Sequence, residues 1–229
     1  MIAPAMSQAL TPALIVEAYT QGFFPMAPRA DSAVVHWIKP EKRGQLSIPN
    51  LHIPRRLHKT ILQNKKQNGP YRITINTAFS DVITACGQAT QDRPDTWINP
   101  AIRDVFIALF SQGFAQSVEC WCEDRLVGGL YGLALGGAFF GESMFSRQTD
   151  ASKIALVHLV ARLWKGGFTL LDTQFVNPHL KQFGIEEIPH LLYEARLRES
   201  LSHAADFRLE HLSEQEIMQA YLAFRGVQG

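Results

Sequence analysis

The sequence predicts an α+β protein with a small N-terminal domain, residues 1–66, and a larger mixed-sheet domain, residues 67–229. Three observations predict it. Strand and helix patterns alternate along the chain instead of segregating. Three consecutive strand patterns, residues 115–122, 125–135 and 138–145, are joined by Glu123-Asp124 and Gly136-Gly137, links short enough for hairpins. The polar stretch 64–70, with Lys65, Lys66, Asn68 and Gly69, separates two apolar-patterned regions and reads as a linker.

Each element has a local reason. Residues 12–21 read as a short helix, with Pro12 in its first turn and Gly22 at its end. The run Gly22-Phe23-Phe24-Pro25-Met26 is unsuited to a regular helix. Residues 34–38 and 44–48 are short strand patterns. Pro54 opens a basic helix that runs to about Gln63. Residues 71–76 alternate polar and β-branched side chains, as a half-buried strand does. Residues 77–88 read as a helix, and Asn99-Pro100 caps another that stops at Gly113. After the three strands, Ile154, Val157, Ala161 and Trp164 recur at helical spacing until Gly166-Gly167. A strand over 168–174 follows, then a short helix capped by Asn177-Pro178, then a last helix from near Pro189.

Composition narrows the function classes. A net charge of +1 argues against a generally basic nucleic-acid binder but leaves room for a local basic patch. No apolar run reaches the length of a membrane span, and residues 1–10 lack a charged leader, so no membrane association and a cytoplasmic location are expected. Cys86, Cys120 and Cys122 form no pair-of-pairs pattern and no HExxH occurs, so no metal site is expected and the thiols read as reduced and structural.

Two segments carry the chemistry. The run Phe139-Phe140-Gly141-Glu142-Ser143-Met144-Phe145-Ser146 sets one carboxylate inside an apolar strand. Asp172 and Gln174, two residues apart, are expected to project together from the end of the next. A greasy pocket with a few convergent polar groups is the usual small-molecule site. Two ordinary core strands with locally satisfied polar groups fit the same spacing. Glu142, among Phe139, Phe140, Met144 and Phe145, needs a cation or must become neutral. That cation is either a substrate group or an internal one such as Arg147. The helix carrying Arg55, Arg56 and Lys59, with Lys65 and Lys66 after it, is either a phosphate-binding face or a solvated linker helix.

Seven blocks carry a resemblance. They are Tyr19-x-x-Gly22-x-Phe24-Pro25-Met26, then Trp37 with Pro40 and Arg43, then Thr96-Trp97-Ile98. Leu126-Val127-Gly128-Gly129-Leu130-Tyr131-Gly132, Phe140 to Arg147 (FGESMFSR), Ala151-Ser152-Lys153 and Leu171-Asp172-Thr173-Gln174 complete the set. In this order, across residues 19 to about 190, the chain resembles the leucyl/phenylalanyl-tRNA–protein transferase family. It departs where many members have two adjacent aromatics followed by Ser-Pro-Asp-Pro-Arg. Here the run is Trp37-Ile38-Lys39-Pro40-Glu41-Lys42-Arg43.

The resemblance implies transfer of Leu or Phe from aminoacyl-tRNA to the N-terminal α-amine of proteins beginning with Arg or Lys, which marks them for degradation. It implies no cofactor, and a larger domain similar to the acetyltransferases that use acetyl-CoA (GNAT-type). A monomer is expected. The acceptor amine, with an ordinary pKa of about 7.7–8.0, is partly neutral near pH 7, so orientation matters more than a strong base. By resemblance, Gln174 positions this amine. Asp172 orients the Gln174 amide and favours the developing positive charge. The ribose hydroxyl or water assists proton transfer. Glu142 meets a cation of the acceptor. Leu130, Phe139, Met144, Leu159 and Leu171 are expected to form the amino-acid pocket. Trp37 and Trp97 stack on the terminal adenine. Arg55, Arg56, Lys59, Lys65 and Lys66 hold the acceptor stem.

Three rivals share part of this pattern. An acetyl-CoA acetyltransferase would use Arg125-x-x-Gly128-Gly129-Leu130 at a strand-to-helix turn. A transferase adding amino acids to cell-wall peptides would share the donor. A non-catalytic tRNA- or protein-binding module would share the surfaces.

Overall fold

The computed structural model describes residues 10–65, 69–90 and 94–227, with only the backbone at Lys65 and Val227. Lys66 and the side chain of Lys65 therefore lie outside the described residues.

The N-terminal part is a helix followed by a two-stranded sheet. Helix α1 (Pro12–Thr20) starts where the Thr11 hydroxyl accepts the Leu14 N–H at 3.2 Å and Pro12 removes one donor that would otherwise lack a partner. Gly22, at φ 81°, turns the chain out of the helix. Strands β1 (Phe24–Met26) and β2 (His36–Ile38) then pair antiparallel.

Strand β3 (Lys42–Leu46) leaves this small unit and enters the large sheet. It pairs antiparallel with β8 (Leu170–Gln174) on one side and β9 (Glu186–Pro189) on the other. A division at 66/67 thus does not coincide with a break in the sheet. Gly44 and Leu46 find partners only in the second half of the chain.

After helix α2 (Arg55–Lys65), strands β4 (Arg72–Ile75), β5 (Ala115–Cys122), β6 (Arg125–Leu135) and β7 (Ala138–Ser146) form a continuous antiparallel run. Helices α3 (Phe79–Cys86) and α4 (Pro100–Ser111) fill the connection between β4 and β5. Asn99 caps α4 by accepting the Ile102 N–H at 2.8 Å. Helix α5 (Ala151–Lys165) is the crossover that lets β8 lie parallel to β7. The seven strands run in the order β4-β5-β6-β7-β8-β3-β9. Helix α6 (Pro178–Lys181) and helix α7 (His190–Ser202) follow β8 and β9, and helix α8 (Glu214–Val227) closes the chain.

Two apolar layers cover the sheet, one on each face. Leu57 and Ile61 of α2, most of α5, and Ile217, Met218 and Tyr221 of α8 pack on one side. Tyr19 of α1, Val82 of α3, Phe106 of α4 and Tyr193 of α7 pack on the other. Successive strand residues alternate between the layers, as Phe139 and Phe140 do, and Leu171 and Leu170. Among the expected elements, the helices over 12–21 and 77–88 and the three hairpin-linked strands are present within a residue or two. The strand expected over 44–48 sits at 42–46, where its pairing with β9 begins. Strands β1 and β9 were not expected, while α8 lies in the C-terminal tail, which was expected to be helical.

Candidate active site

Two β-bulges shape the middle of the sheet. On β7, Tyr131 pairs with Ser143 and Gly132 with Gly141, so Glu142 is the extra residue. A bulge re-aims one side chain and changes the facing of the residues beyond it. Phe139 and Met144, five positions apart, therefore pack in the same layer, and Phe140 and Phe145 in the other. On β8, Gly44 pairs with Gln174 and Gln45 with Asp172, which leaves Thr173 as the extra residue. Gly44 fits there because a Cβ would lie 2.8 Å from the Phe175 carbonyl carbon and 2.9 Å from the Thr173 hydroxyl.

Asp172 and Arg43 are both fully buried and face each other across β8 and β3. Arg43 Nη2 donates to Asp172 Oδ2 at 2.6 Å and Nε to Oδ1 at 2.9 Å. The Tyr193 hydroxyl donates to Oδ2 at 2.7 Å, and the Gln174 main-chain N–H to Oδ1 at 2.8 Å. Arg43 Nη1 donates to the Gly22 carbonyl at 2.9 Å, and its guanidinium lies 4.5 Å from the Tyr193 ring centre and 4.8 Å from that of Phe24. Burial alone would lower the Arg43 pKa, but the Asp172 carboxylate outweighs it and holds the guanidinium charged. Two interior charges are tolerable because they pair with each other and every guanidinium nitrogen and both carboxylate oxygens have hydrogen-bond partners.

Glu142 lies beside this pair. As a residue it is half-buried, while its carboxyl is enclosed. Oε1 accepts from the Tyr19 hydroxyl at 2.8 Å. Burial pushes the carboxyl up to about 8; the Tyr19 hydrogen bond opposes this, and the Asp172 charge adds to it. Tyr19 is itself raised, first by burial and then by Glu142. Arg147 is not the partner of Glu142. Its guanidinium donates to the Leu126 carbonyl and the Gln88 side chain, both at 3.2 Å. No ion pair to Glu142 occurs among the described residues.

Gln174 is nearly buried and has φ 56°. That left-handed turn takes it out of the regular alternation, so it does not simply share a face with Asp172. Asp172 binds the main-chain N–H of Gln174 and not its side chain. The Gln174 Nε2 has no hydrogen-bond partner among the described residues. The expectation that Asp172 orients the Gln174 amide directly is corrected accordingly: the carboxylate acts on the backbone.

The five residues expected to form the amino-acid pocket lie in one layer. Leu130, Phe139, Leu159 and Leu171 are fully buried in the layer with α5, and Met144 packs half-buried against them. Phe139 stacks on Phe207 at 5.5 Å. Tyr19 and Tyr193, which hold Glu142 and Asp172, belong to the opposite layer. These four positions are thus core members across the sheet from the two carboxylates. Cavities of about 460 and 310 Å³ are lined by other residues. Trp37 and Trp97 are half-buried on the carboxylate side, next to β1. Trp37 pairs with Pro25, and the Trp97 carbonyl accepts the Ala27 N–H at 3.2 Å.

Arg55, Arg56 and Lys59 are exposed on α2. Arg56 and Lys153 both bind Asp150, at 2.8 and 2.9 Å, which gives Lys153 a partner at the start of α5. Arg125, Gly128 and Gly129 lie within β6 and not at a strand-to-helix turn, which argues against the acetyl-CoA pyrophosphate reading. Gly128 serves packing instead: a Cβ there would come within 2.6 Å of the Ala151 Cβ.

Sequence reasoning singled out Tyr19 and Arg43 only as parts of motifs and missed Tyr193. A lone arginine in a short strand was the available signal for Arg43. Nothing in the sequence joins Tyr193 to Asp172, because the link is made by the packing of α7.

Fold and site together define a mixed α/β protein with buried carboxyl groups at the bulges of two adjacent central strands. The comparisons make this specific: the chain belongs to the leucyl/phenylalanyl-tRNA–protein transferase family. The family model of that description matches residues 45–198, and the model of the family's N-terminal domain matches residues 8–41. Residues 42–44, in the first half of β3, lie between the two matches. Similar curated proteins carry the name leucyl/phenylalanyl-tRNA–protein transferase. One from Paramagnetospirillum magneticum is 54% identical over 198 residues, covering 86% of this chain and 92% of its own. One from Hyphomonas neptunium is 52% identical over 202 residues, covering 88% and 76%. One from Phenylobacterium zucineum is 52% identical over 193 residues, covering 84% and 85%.

Proposed function

We propose that this protein is an aminoacyltransferase that moves a leucyl or phenylalanyl group from the 3′ end of its tRNA to the N-terminal α-amine of proteins beginning with Arg or Lys, tagging them for proteolysis. Family membership supports the reaction. The observation that carries the acceptor preference is Glu142, an enclosed carboxyl bonded to Tyr19 with no ion pair among the described residues. A guanidinium or ammonium of the acceptor supplies the missing charge.

In the transfer the neutral α-amine attacks the ester carbonyl, the C–N bond forms and the C–O bond to the ribose breaks. The amine proton passes to the departing ribose oxygen, directly or through water. Gln174, whose Nε2 has no partner among the described residues, orients the amine by accepting one of its N–H groups at Oε1. Trp37 and Trp97 lie on the carboxylate side, where the terminal adenine stacks. The exposed Arg55, Arg56 and Lys59 take the acceptor stem.

The larger sheet is read as acetyltransferase-type. Its antiparallel run β4 to β7, followed by a parallel β7–β8 pair through α5, supports that reading. No helix among the described residues is long and apolar enough to cross a membrane. We place the protein in the cytoplasm, acting as a monomer without cofactor.

The test is incubation with radiolabelled Leu-tRNA and a model protein starting with Arg, alongside the same protein starting with Ala. Label on the Arg form alone supports the proposal. No label on either, with charged tRNA still bound, would replace it with a binding module.

A further inference from the structure

We infer that Arg43 and Tyr193 are positioning residues for the transfer step: they hold Asp172 so that it fixes the Gln174 main chain, and they use up the negative charge of Asp172 that could otherwise act on the substrate. The inference rests on the transferase reading and on Gln174 meeting the amine.

The acceptor capacity of Asp172 is filled. A carboxylate offers about four lone-pair sites. Oδ1 receives Arg43 Nε at 2.9 Å and the Gln174 N–H at 2.8 Å. Oδ2 receives Arg43 Nη2 at 2.6 Å, Arg43 Nε at 3.1 Å and the Tyr193 hydroxyl at 2.7 Å. Both charged side chains are wholly buried, and the guanidinium against the carboxylate offsets part of its field. Neither oxygen has room for a substrate amine or for the Gln174 side chain.

What Asp172 does hold is the backbone. Gln174 sits at φ 56°, a strained conformation for a residue with a Cβ, and persists there only if its surroundings impose it. The charge-assisted bond from its N–H to Oδ1 is one such constraint. The Thr173 bulge and the Gly44 close approach are the others. Asp172 can impose that geometry only where it is itself immobile. Arg43 secures it with a two-point grip from β3, and Tyr193 with one bond from α7. Arg43 is anchored in turn by the Gly22 carbonyl and by the faces of Phe24 and Tyr193. The result is a Gln174 amide delivered to one place, with Nε2 without a partner among the described residues and Oε1 the atom that accepts an N–H of the substrate amine.

The two roles for Asp172 predict opposite effects. If its charge drove the reaction, weakening the grip on it would leave the rate unchanged or raise it. If it positions Gln174, weakening the grip lowers the rate. Tyr193→Phe removes one hydroxyl and keeps the ring over Arg43. With saturating Leu-tRNA and an acceptor protein starting with Arg, Tyr193→Phe is expected to lower the single-turnover rate constant about ten-fold, with both KM values held within about two-fold. Arg43→Lys, which keeps the charge but loses the fork, is expected to act in the same direction. In a Gln174→Ala background, Tyr193→Phe is expected to add no further loss, which a general loosening of the fold would not reproduce.

A Tyr193→Phe rate equal to or above the wild-type rate, with Gln174→Ala impaired, overturns the inference and leaves the proposed function standing. Equal multiplicative losses in both backgrounds also overturn it. An unimpaired Gln174→Ala removes the residue to be positioned, and with it both the inference and the assigned role of Gln174.

Discussion

Replacing Glu142 with Gln tests the electrostatics of the acceptor site through stability alone. The substitution keeps the shape and an oxygen for the Tyr19 hydroxyl but cannot ionise. In the folded protein burial raises the Glu142 carboxyl from 4.5 to about 8. At 1.36 kcal/mol per pH unit this difference corresponds to about 5 kcal/mol, an upper value if the site relaxes or admits water. The sign depends on which state binds the proton. Below pH 4.5 both folded and unfolded chains keep Glu142 protonated, and the contribution of the neutral carboxyl is fully present. Between pH 4.5 and about 8 the unfolded chain releases the proton while the folded one retains it, so stability is lost as pH rises. Above about 8 the loss is complete and constant. Urea unfolding of wild type and Glu142→Gln at pH 5, 7 and 9 therefore gives nearly equal stabilities at pH 5 and a variant more stable by several kcal/mol at pH 9. A peptide starting with Arg narrows the gap at pH 9 by binding the wild-type carboxylate. A stability difference that does not change between pH 5 and pH 9 refutes the reasoning.

Three further outcomes are expected. Arg43→Met leaves Asp172 buried without its cation and lowers unfolding free energy by about 3–5 kcal/mol, read as a shift in denaturant midpoint at constant slope. Tyr19→Phe leaves Glu142 Oε1 without its donor, costs about 1–3 kcal/mol and raises the KM for the Arg-starting acceptor while leaving that for Leu-tRNA unchanged; steady-state kinetics with each substrate varied separate the two. Removal of the charges at Arg55, Arg56 and Lys59 raises the KM for charged tRNA and reduces the salt slope of binding by up to about 2.7, and an unchanged slope would take tRNA off α2.

Much of the fold could be read from local signals. Pro12, Asn99 and Asn177 announced their helices, and the two-residue links announced the β5–β6–β7 hairpins. Glu142 and the Asp172–Gln174 pair stood out because polar groups in apolar strands require a reason. The sequence did not tell which way those groups point. Each sits at or next to a bulge, and one inserted residue reverses the alternation on which face assignment depends. The layer that Leu130, Phe139, Leu159 and Leu171 join was hidden for a different reason: apolar character alone does not say which layer a residue joins. Long-range partners were equally hidden. Arg43 reaches Asp172 across 129 positions, and Tyr193 arrives on a helix whose own pattern says nothing about a hydroxyl aimed inward. Helix α8 carries few local signals beyond its first-turn Glu214 and Glu216 and is held by contacts to α5 and to the Ile48 carbonyl.

The place of β3 between β8 and β9 has a consequence for synthesis on the ribosome. Arg43 is made early, and its anion comes 129 residues later. At about 5–20 residues per second, that is a wait of roughly 6 to 26 seconds. Over that interval β3 has neither of its sheet neighbours, and its arginine must stay in water. The nascent chain can assemble α1 with the β1–β2 pair and then the β4–β7 run, but the strand that joins them stays open until β8 emerges. A truncated chain ending before residue 172 would expose both edges of β3, and with them a signal of incompleteness that chaperones and proteases can read.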